Sequence, residues 1–209
     1  MHWKVLSKKQ TELLKKLKFL KKEGFYLAGG TALALQIGHR TSLDFDFYTP
    51  KKFSPQKLRE KFEEKFKEVK EIYLDQDTLI LDVENLKISF FKYPYPLLKP
   101  LQEKKGILFA SVEDIAAMKI LAISQRGLMR DFIDIYFLIK KFGLKKILEF
   151  AKKKYPSFNI YLALQALSYF KDAEEDLEKK RYKLFKKVSF SEVKKFILKK
   201  LSEFKKQNL

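Results

Sequence analysis

Apolar positions switch period along this chain, and the switches mark its elements. Over residues 7–23, Leu13, Leu14, Leu17 and Leu20 recur at helical spacing among lysines and glutamates, which predicts one amphipathic helix. Ser7 with Gln10 gives it a capping-box start, and Gly24 gives it a stop. A short apolar strand is expected over 25–28, then a Gly-Gly turn (Gly29, Gly30), a helix over 31–38 and a polar break at His39, Arg40 and Thr41. The period then becomes two: Leu43, Phe45 and Phe47 form a face that can be buried, opposite Ser42, Asp44 and Asp46, which predicts a strand over 42–48. Ser54 as N-cap with Pro55 at the first helical position starts a helix to about residue 67, burying Leu58, Phe62 and Phe66.

Strands follow at 69–74, 79–84 and 87–91, with turns at 75–77 and Asn85. Tyr93-Pro-Tyr-Pro96 ends this meander, and a short strand is expected at 107–109. Beyond it the period is helical throughout. Helices are expected over 111–126 with Ser111 as cap, 130–142, 144–154, 160–170 and 192–205, the last after a Ser189/Glu192 capping box; 172–180 reads as a charged connection or a short helix. The fold class is therefore α+β: a mixed sheet of about five strands flanked by helices, then a helical C-terminal half. The boundary falls near 100–111, giving an α/β domain over 1–110 and a helical domain over 111–209.

Composition narrows the chemistry. No cysteine is present, which excludes disulfides, thiolate metal sites and a cysteine nucleophile. With His2 and His39 as the only histidines, any metal should be a hard, oxygen-ligated ion such as Mg²⁺. No apolar run approaches the roughly 20 residues of a membrane span, and no apolar stretch follows the first charges as in a secretory leader, so no membrane partner and a cytoplasmic location are expected. The formal net charge is +19, from 45 basic and 26 acidic residues. Such an excess favours a polyanionic partner, although a generally lysine-rich surface produces the same number.

The stretch 26–48 concentrates the candidate chemistry. Asp44 and Asp46, two residues apart on a strand, lie roughly 7 Å apart at Cα and share a face. Their carboxylates can converge on one hard cation, or on two. Gly29 and Gly30 open a helix whose bare N–H groups and positive dipole end suit a phosphate. A Gly-Gly pair alone more often marks a tight turn; a solvated strand face explains the two carboxylates less well, because Asp is unfavourable in strands; it is their combination that points to phosphoryl or nucleotidyl transfer. Arg40 and Ser42 fit phosphate contacts or ordinary surface, and 93–96 an aromatic platform or a turn. Further on, Lys119 and Arg126 lie seven apart on one helical face, and Asp131 and Asp134 three apart on the next helix. By themselves these four fit a salt-bridge network as well as a site.

Gly29-Gly30-Thr31 followed by Asp44-Phe-Asp46 resembles the signature of the polymerase-β-like nucleotidyltransferases. The longer string GGTALALQIGHRTSLDFDF, with Glu113-Asp-Ile-Ala-Ala-Met-Lys119 and Arg126-Gly…Arg130-Asp131-Phe-Ile-Asp134, resembles the AbiEii/AbiGii toxins of type IV abortive-infection toxin–antitoxin pairs. The resemblance implies a nucleotidyltransferase fold with an active-site cleft completed by the helical half. It implies Asp44 and Asp46 as ligands of Mg²⁺ or Mn²⁺, and Gly29, Gly30, Thr31, Arg40, Ser42 and Arg126 at the nucleotide. Lys119 is expected on a nucleotide phosphate, with Asp131 or Asp134 positioning substrate or orienting Lys119. The implied reaction transfers NMP from an NTP to RNA, with the 3′ end of tRNA as acceptor, and the implied partner is a cognate antitoxin. Catalytically degenerate nucleotide or nucleic-acid binding, or NMP transfer onto protein, are the rival readings. One departure stands out: such sites carry a third carboxylate on a later strand, and the corresponding segment here offers Ser89, with Asp82 and Glu84 on the neighbouring strand.

Overall fold

The computed structural model describes residues 1–176 and 182–208. Two compact units divide it, Met1–Ala110 and Ser111–Leu209. In the first, α1 (Lys8–Lys16) leads through a 3₁₀ turn (Leu17–Lys21) to β1 (Tyr26–Ala28), α2 (Gly29–Ile37), β2 (Phe45–Thr49) and α3 (Pro55–Lys65). Then come β3 (Val69–Asp75), β4 (Thr78–Val83), β5 (Leu86–Lys92), β6 (Gln102–Lys104) and β7 (Ile107–Phe109). All seven strands form one sheet in the order β3-β4-β5-β2-β1-β7-β6. The β2–β5 and β1–β7 pairs are parallel and the others antiparallel, so the sheet is mixed, as expected.

Strand alternation builds the core of this unit. Phe45, Phe47, Leu79, Leu81, Val83, Ile88 and Phe90 are all fully buried and come from one face of the central strands. Phe47 stacks on Phe90 with centroids 5.7 Å apart, and α3 sets Phe62 edge-on to the same ring at 5.3 Å. Each such buried aromatic removes enough apolar area from water to contribute about 1.5–3 kcal/mol. The opposite row therefore falls to residues that need not be buried for stability, Asp46 among them.

Several boundaries differ from the sequence expectation. The first helix is not continuous: α1 gives way to the 3₁₀ turn, which still leaves Leu13, Leu14, Leu17 and Leu20 buried because three-residue turns keep Leu17 and Leu20 on one side. The second strand begins at Phe45 rather than 42, so Ser42, Leu43 and Asp44 are irregular backbone and Leu43 is 38% exposed rather than core. The sheet has seven strands rather than about five. β6, with the sequence Gln-Glu-Lys, is exposed throughout and carries no apolar alternation to reveal it. Its hairpin partner is reached through Lys105 and Gly106, both at positive φ (53° and 81°), as a two-residue hairpin turn requires.

The second unit is helical: α4 (Val112–Arg126), α5 (Met129–Phe142), α6 (Leu144–Lys154), α7 (Ile160–Ser168), α8 (Lys171–Glu175) and α9 (Phe190–Asn208). Its charges are used inside the fold. Ser111 caps α4, and Asp114 in the first turn pairs with Lys154 Nζ at 2.7 Å, both side chains buried. The Ser111 hydroxyl also donates to Asp114 at 2.6 Å. Asp176, just past α8, accepts the Met129 N–H at 3.1 Å and so caps α5, whose own Leu128 provides no side-chain cap. The expected 172–180 connection is thus a short helix at its start, and 177–180 lies outside the described residues. No helix among the described residues is long and apolar enough to cross a membrane.

Candidate active site

The candidate residues fall into two clusters, one in each unit. In the first, α2 follows β1 directly, so the expected Gly29-Gly30 turn is the first two residues of the helix, and this junction meets the start of β2. Ala28 pairs with Asp46 across β1–β2, and Asp46 pairs with Ser89 across β2–β5, so the ladder holds the Asp46 backbone from both sides. Its carboxylate reaches back to Gly29, the first residue of α2. Gly29 sits at φ +65°, and a Cβ there would lie 2.6 Å from Asp46 Oδ2. No side chain caps α2, and its first turn contains no acid. A carboxylate therefore lies against the positive end of a helix, the arrangement that also attracts phosphate.

Gly30 answers a second constraint. A Cβ at Gly30 would lie 2.6 Å from Arg40 Nη2. Arg40 is buried against this glycine and donates from Nη1 to the Thr41 carbonyl at 3.0 Å. The adjacent Thr31 is fully buried, its hydroxyl 2.7 Å from Ser42 Oγ and hydrogen-bonded to the Asp44 carbonyl. Thr31 thus faces the loop that carries Asp44. Arg40 and Ser42 are largely buried too, whereas Gly29, Gly30, Asp44 and Asp46 keep partial exposure.

The register locates the position of the missing acid. Ser89 is the neighbour of Asp46 on β5, and Ile80 is the neighbour of Ser89 on β4. Asp82 pairs instead with Lys87, and Glu84 lies in the β4–β5 turn, where it pairs with Lys16 at 3.2 Å. Neither carboxylate shares the row of Asp46. Among the described residues no group of three or more His, Asp or Glu side chains is placed to hold a metal. Two carboxylates nevertheless suit Mg²⁺, which retains waters and is commonly held by one or two carboxylates together with substrate phosphates. The segment 93–96 places Tyr93 and Tyr95 edge to face at 4.8 Å, and Tyr93 continues to Tyr48 at 5.2 Å.

In the second cluster, α4 presents Lys119 to two acids of α5. Lys119 Nζ lies 2.7 Å from Asp131 Oδ1 and 2.6 Å from Asp134 Oδ2, with all three side chains buried. Arg126 approaches from the end of α4, its Nε 3.5 Å from Asp131 Oδ2, while its side chain stays 56% exposed. Asp131 Oδ2 has no hydrogen-bond partner among the described residues. The helical spacing is responsible: positions 119 and 126 on one helix, and 131 and 134 on the next, bring two cations to two anions. Both aspartates hold Lys119.

A family model described as the nucleotidyl transferase AbiEii toxin of type IV toxin–antitoxin systems matches residues 12–99 and 88–204. The chain belongs to the AbiEii family. It is thus a nucleotidyltransferase of the toxin class. It is 42% identical over 182 residues to an uncharacterised protein of Aquifex aeolicus, covering 82% of this chain and 86% of that protein. Among solved structures it is similar to JHP933 of Helicobacter pylori, with a TM-score of 0.59 at 19% identity over 97% of this chain and 96% of the other. It is also similar to MenT4, a nucleotidyltransferase toxin of Mycobacterium tuberculosis, with a TM-score of 0.58 at 14% identity over 94% of this chain and 82% of the other. At such identities the two structures testify to a shared nucleotidyltransferase fold.

Sequence reasoning missed three groups that support these AbiEii clusters. Gln10, read only as a helix cap, is buried and reaches the loop before Asp44. The Asp114–Lys154 pair lies within the same helical block as Lys119. Asp176 caps the helix that carries Asp131 and Asp134. Only Gln10 and Asp114 had a local signal, as third helical residues after a serine; their distant partners had none.

Proposed function

We propose that this AbiEii-family enzyme transfers NMP from an NTP to a hydroxyl of RNA, with the 3′ end of tRNA as acceptor. The observation that carries the reading is the Asp46 carboxylate seated on Gly29 at an uncapped helix start. It joins a cation ligand and a phosphate-attracting backbone in one small unit. Asp44 and Asp46 would hold Mg²⁺ or Mn²⁺, which neutralises triphosphate charge when bound.

The chain's own groups then divide the work. Gly29 and Gly30 allow the backbone to approach phosphate oxygens. Thr31 and Ser42 set the Asp44 loop, and Arg40 braces it from beneath Gly30. Asp131 and Asp134 orient Lys119 and keep its ammonium in place. In the reaction the acceptor oxygen bonds to the α-phosphorus, the bond from that phosphorus to the bridging oxygen breaks, and pyrophosphate leaves with its electron pair. The hydroxyl proton passes to solvent. The basic excess of the chain supplies backbone attraction for RNA. A cognate antitoxin is the partner that family membership implies.

The acceptor is tested by incubating the protein with Mg²⁺, each α-labelled NTP, total tRNA and a mixture of cytosolic proteins. Label in tRNA, lost when EDTA is added, supports the proposal. Label in protein instead of RNA would sink the RNA acceptor while leaving nucleotidyl transfer intact.

A further inference from the structure

We infer that Gln10, on α1, is a positioning residue for Asp44, and so for cation binding at the Asp44–Asp46 pair. The inference rests on the proposed reading of that pair as cation ligands. The two carboxylates are held very differently. Asp46 lies inside β2 with ladder partners on both sides. Asp44 lies one residue outside the strand, in irregular backbone that no ladder fixes.

Gln10 takes over that task from 32 residues away. Its side-chain amide donates both hydrogens to successive carbonyls of the loop, Ser42 O at 2.7 Å and Leu43 O at 2.9 Å. Its Oε1 accepts the Ser7 N–H at 2.9 Å, so the whole amide is engaged. The residue is 2% exposed. Buried carbonyls need a partner, and removing one leaves a desolvated group whose simplest relief is movement of the loop. Thr31 grips the next carbonyl, that of Asp44 itself. Three consecutive carbonyls leading to the ligand are thus tied to α1 and α2. A surface helix cap does not need an inward-facing amide; a ligand loop without secondary structure does.

The capping and clamping roles can be separated. Gln10→Glu keeps the oxygen that accepts from Ser7 but loses both donors to the loop. Gln10→Met loses both functions without adding charge, which guards against a variant that fails to fold. Ser7→Ala removes the hydroxyl half of the reciprocal cap and leaves the clamp. Mn²⁺ is the probe, its affinity read by electron paramagnetic resonance without nucleotide. Amide hydrogen exchange over 40–46 and thermal midpoints are measured alongside. Gln10→Glu and Gln10→Met should weaken Mn²⁺ at least tenfold and speed exchange across 42–44. Ser7→Ala, which loses the cap alone, should do neither. Unchanged exchange in the Gln10 variants, or equal effects from Ser7→Ala, overturns the clamp. Faster exchange with no saturable Mn²⁺ binding even by the wild type overturns the cation reading and, with it, the inference.

Discussion

Replacing Gly29 by alanine perturbs the contact on which the proposed chemistry depends. Two costs can be worked from the structure. Gly29 lies at φ +65°, where a side chain costs about 1–2 kcal/mol. Its new Cβ would also stand 2.6 Å from Asp46 Oδ2 and 3.2 Å from Asp46 Cβ. The Asp46 backbone cannot retreat, because Ala28 and Ser89 hold it on both sides. The side chain must then leave its rotamer, at about 0.5–1.5 kcal/mol. Together these predict a stability loss of about 1.5–3.5 kcal/mol. Activity should fall further, since a misplacement of about 1 Å at a reacting group costs on the order of 10²-fold. Gly24→Ala is the control: its φ is +79°, but a Cβ there meets nothing nearer than 3.8 Å. It should lose about 1–2 kcal/mol and keep its activity. Urea unfolding gives the stabilities, and NMP incorporation per folded molecule gives the activity. Full activity in Gly29→Ala, or equal inactivation by Gly24→Ala, would refute the reasoning.

Three further outcomes are expected. Asp114→Asn removes the buried carboxylate 2.7 Å from Lys154 Nζ and should cost about 3–5 kcal/mol in urea unfolding. Lys119→Met and Asp134→Asn should each destabilise the helical unit, but the double variant should lose less than the sum, by about 0.5–3 kcal/mol of coupling, because the second change removes one of the two carboxylates that the first deprived of the Lys119 ammonium. The N–H and hydroxyl of Ser189 hold the Glu192 carboxyl below its usual 4.5. A depressed folded value means that its contribution is present above about pH 4.5 and is lost as pH falls through the folded value. Glu192→Gln should therefore lower the urea midpoint at pH 7, and its difference from the wild type should shrink as pH falls below 4.5, read from parallel titrations.

Much of the fold was legible because burial writes itself into spacing. The alternation of Phe45 and Phe47 with Asp46 identified the core face and the opposite row that carries the candidate carboxylate, and the ladder has Asp46 beside Ser89 and Ala28. Gly29 and Gly30 stood out as a pair, but the reason for each did not: one accommodates Asp46 and the other Arg40, through folding of segments 10 or more residues away. Leu43 misled because alternation was extended past the true start of the strand, into a loop held by hydrogen bonds rather than by packing. β6 escaped notice because an exposed edge strand of Gln, Glu and Lys needs no apolar face. The pairs Gln10–Ser42 and Asp114–Lys154 left no trace, since polar partners 32 and 40 residues apart obey no local period.

The central claim is that Asp46 serves NMP transfer from an NTP to RNA. Its most direct measurement supplies one NTP labelled at either the α- or the γ-phosphate, with Mg²⁺ and tRNA, to the wild type and to Asp46→Asn. The account predicts α-label joined to RNA, γ-label released as pyrophosphate, and loss of both by at least about 10²-fold in the variant. Incorporation that survives in a folded Asp46→Asn protein, or γ-label transferred to the acceptor, would contradict it.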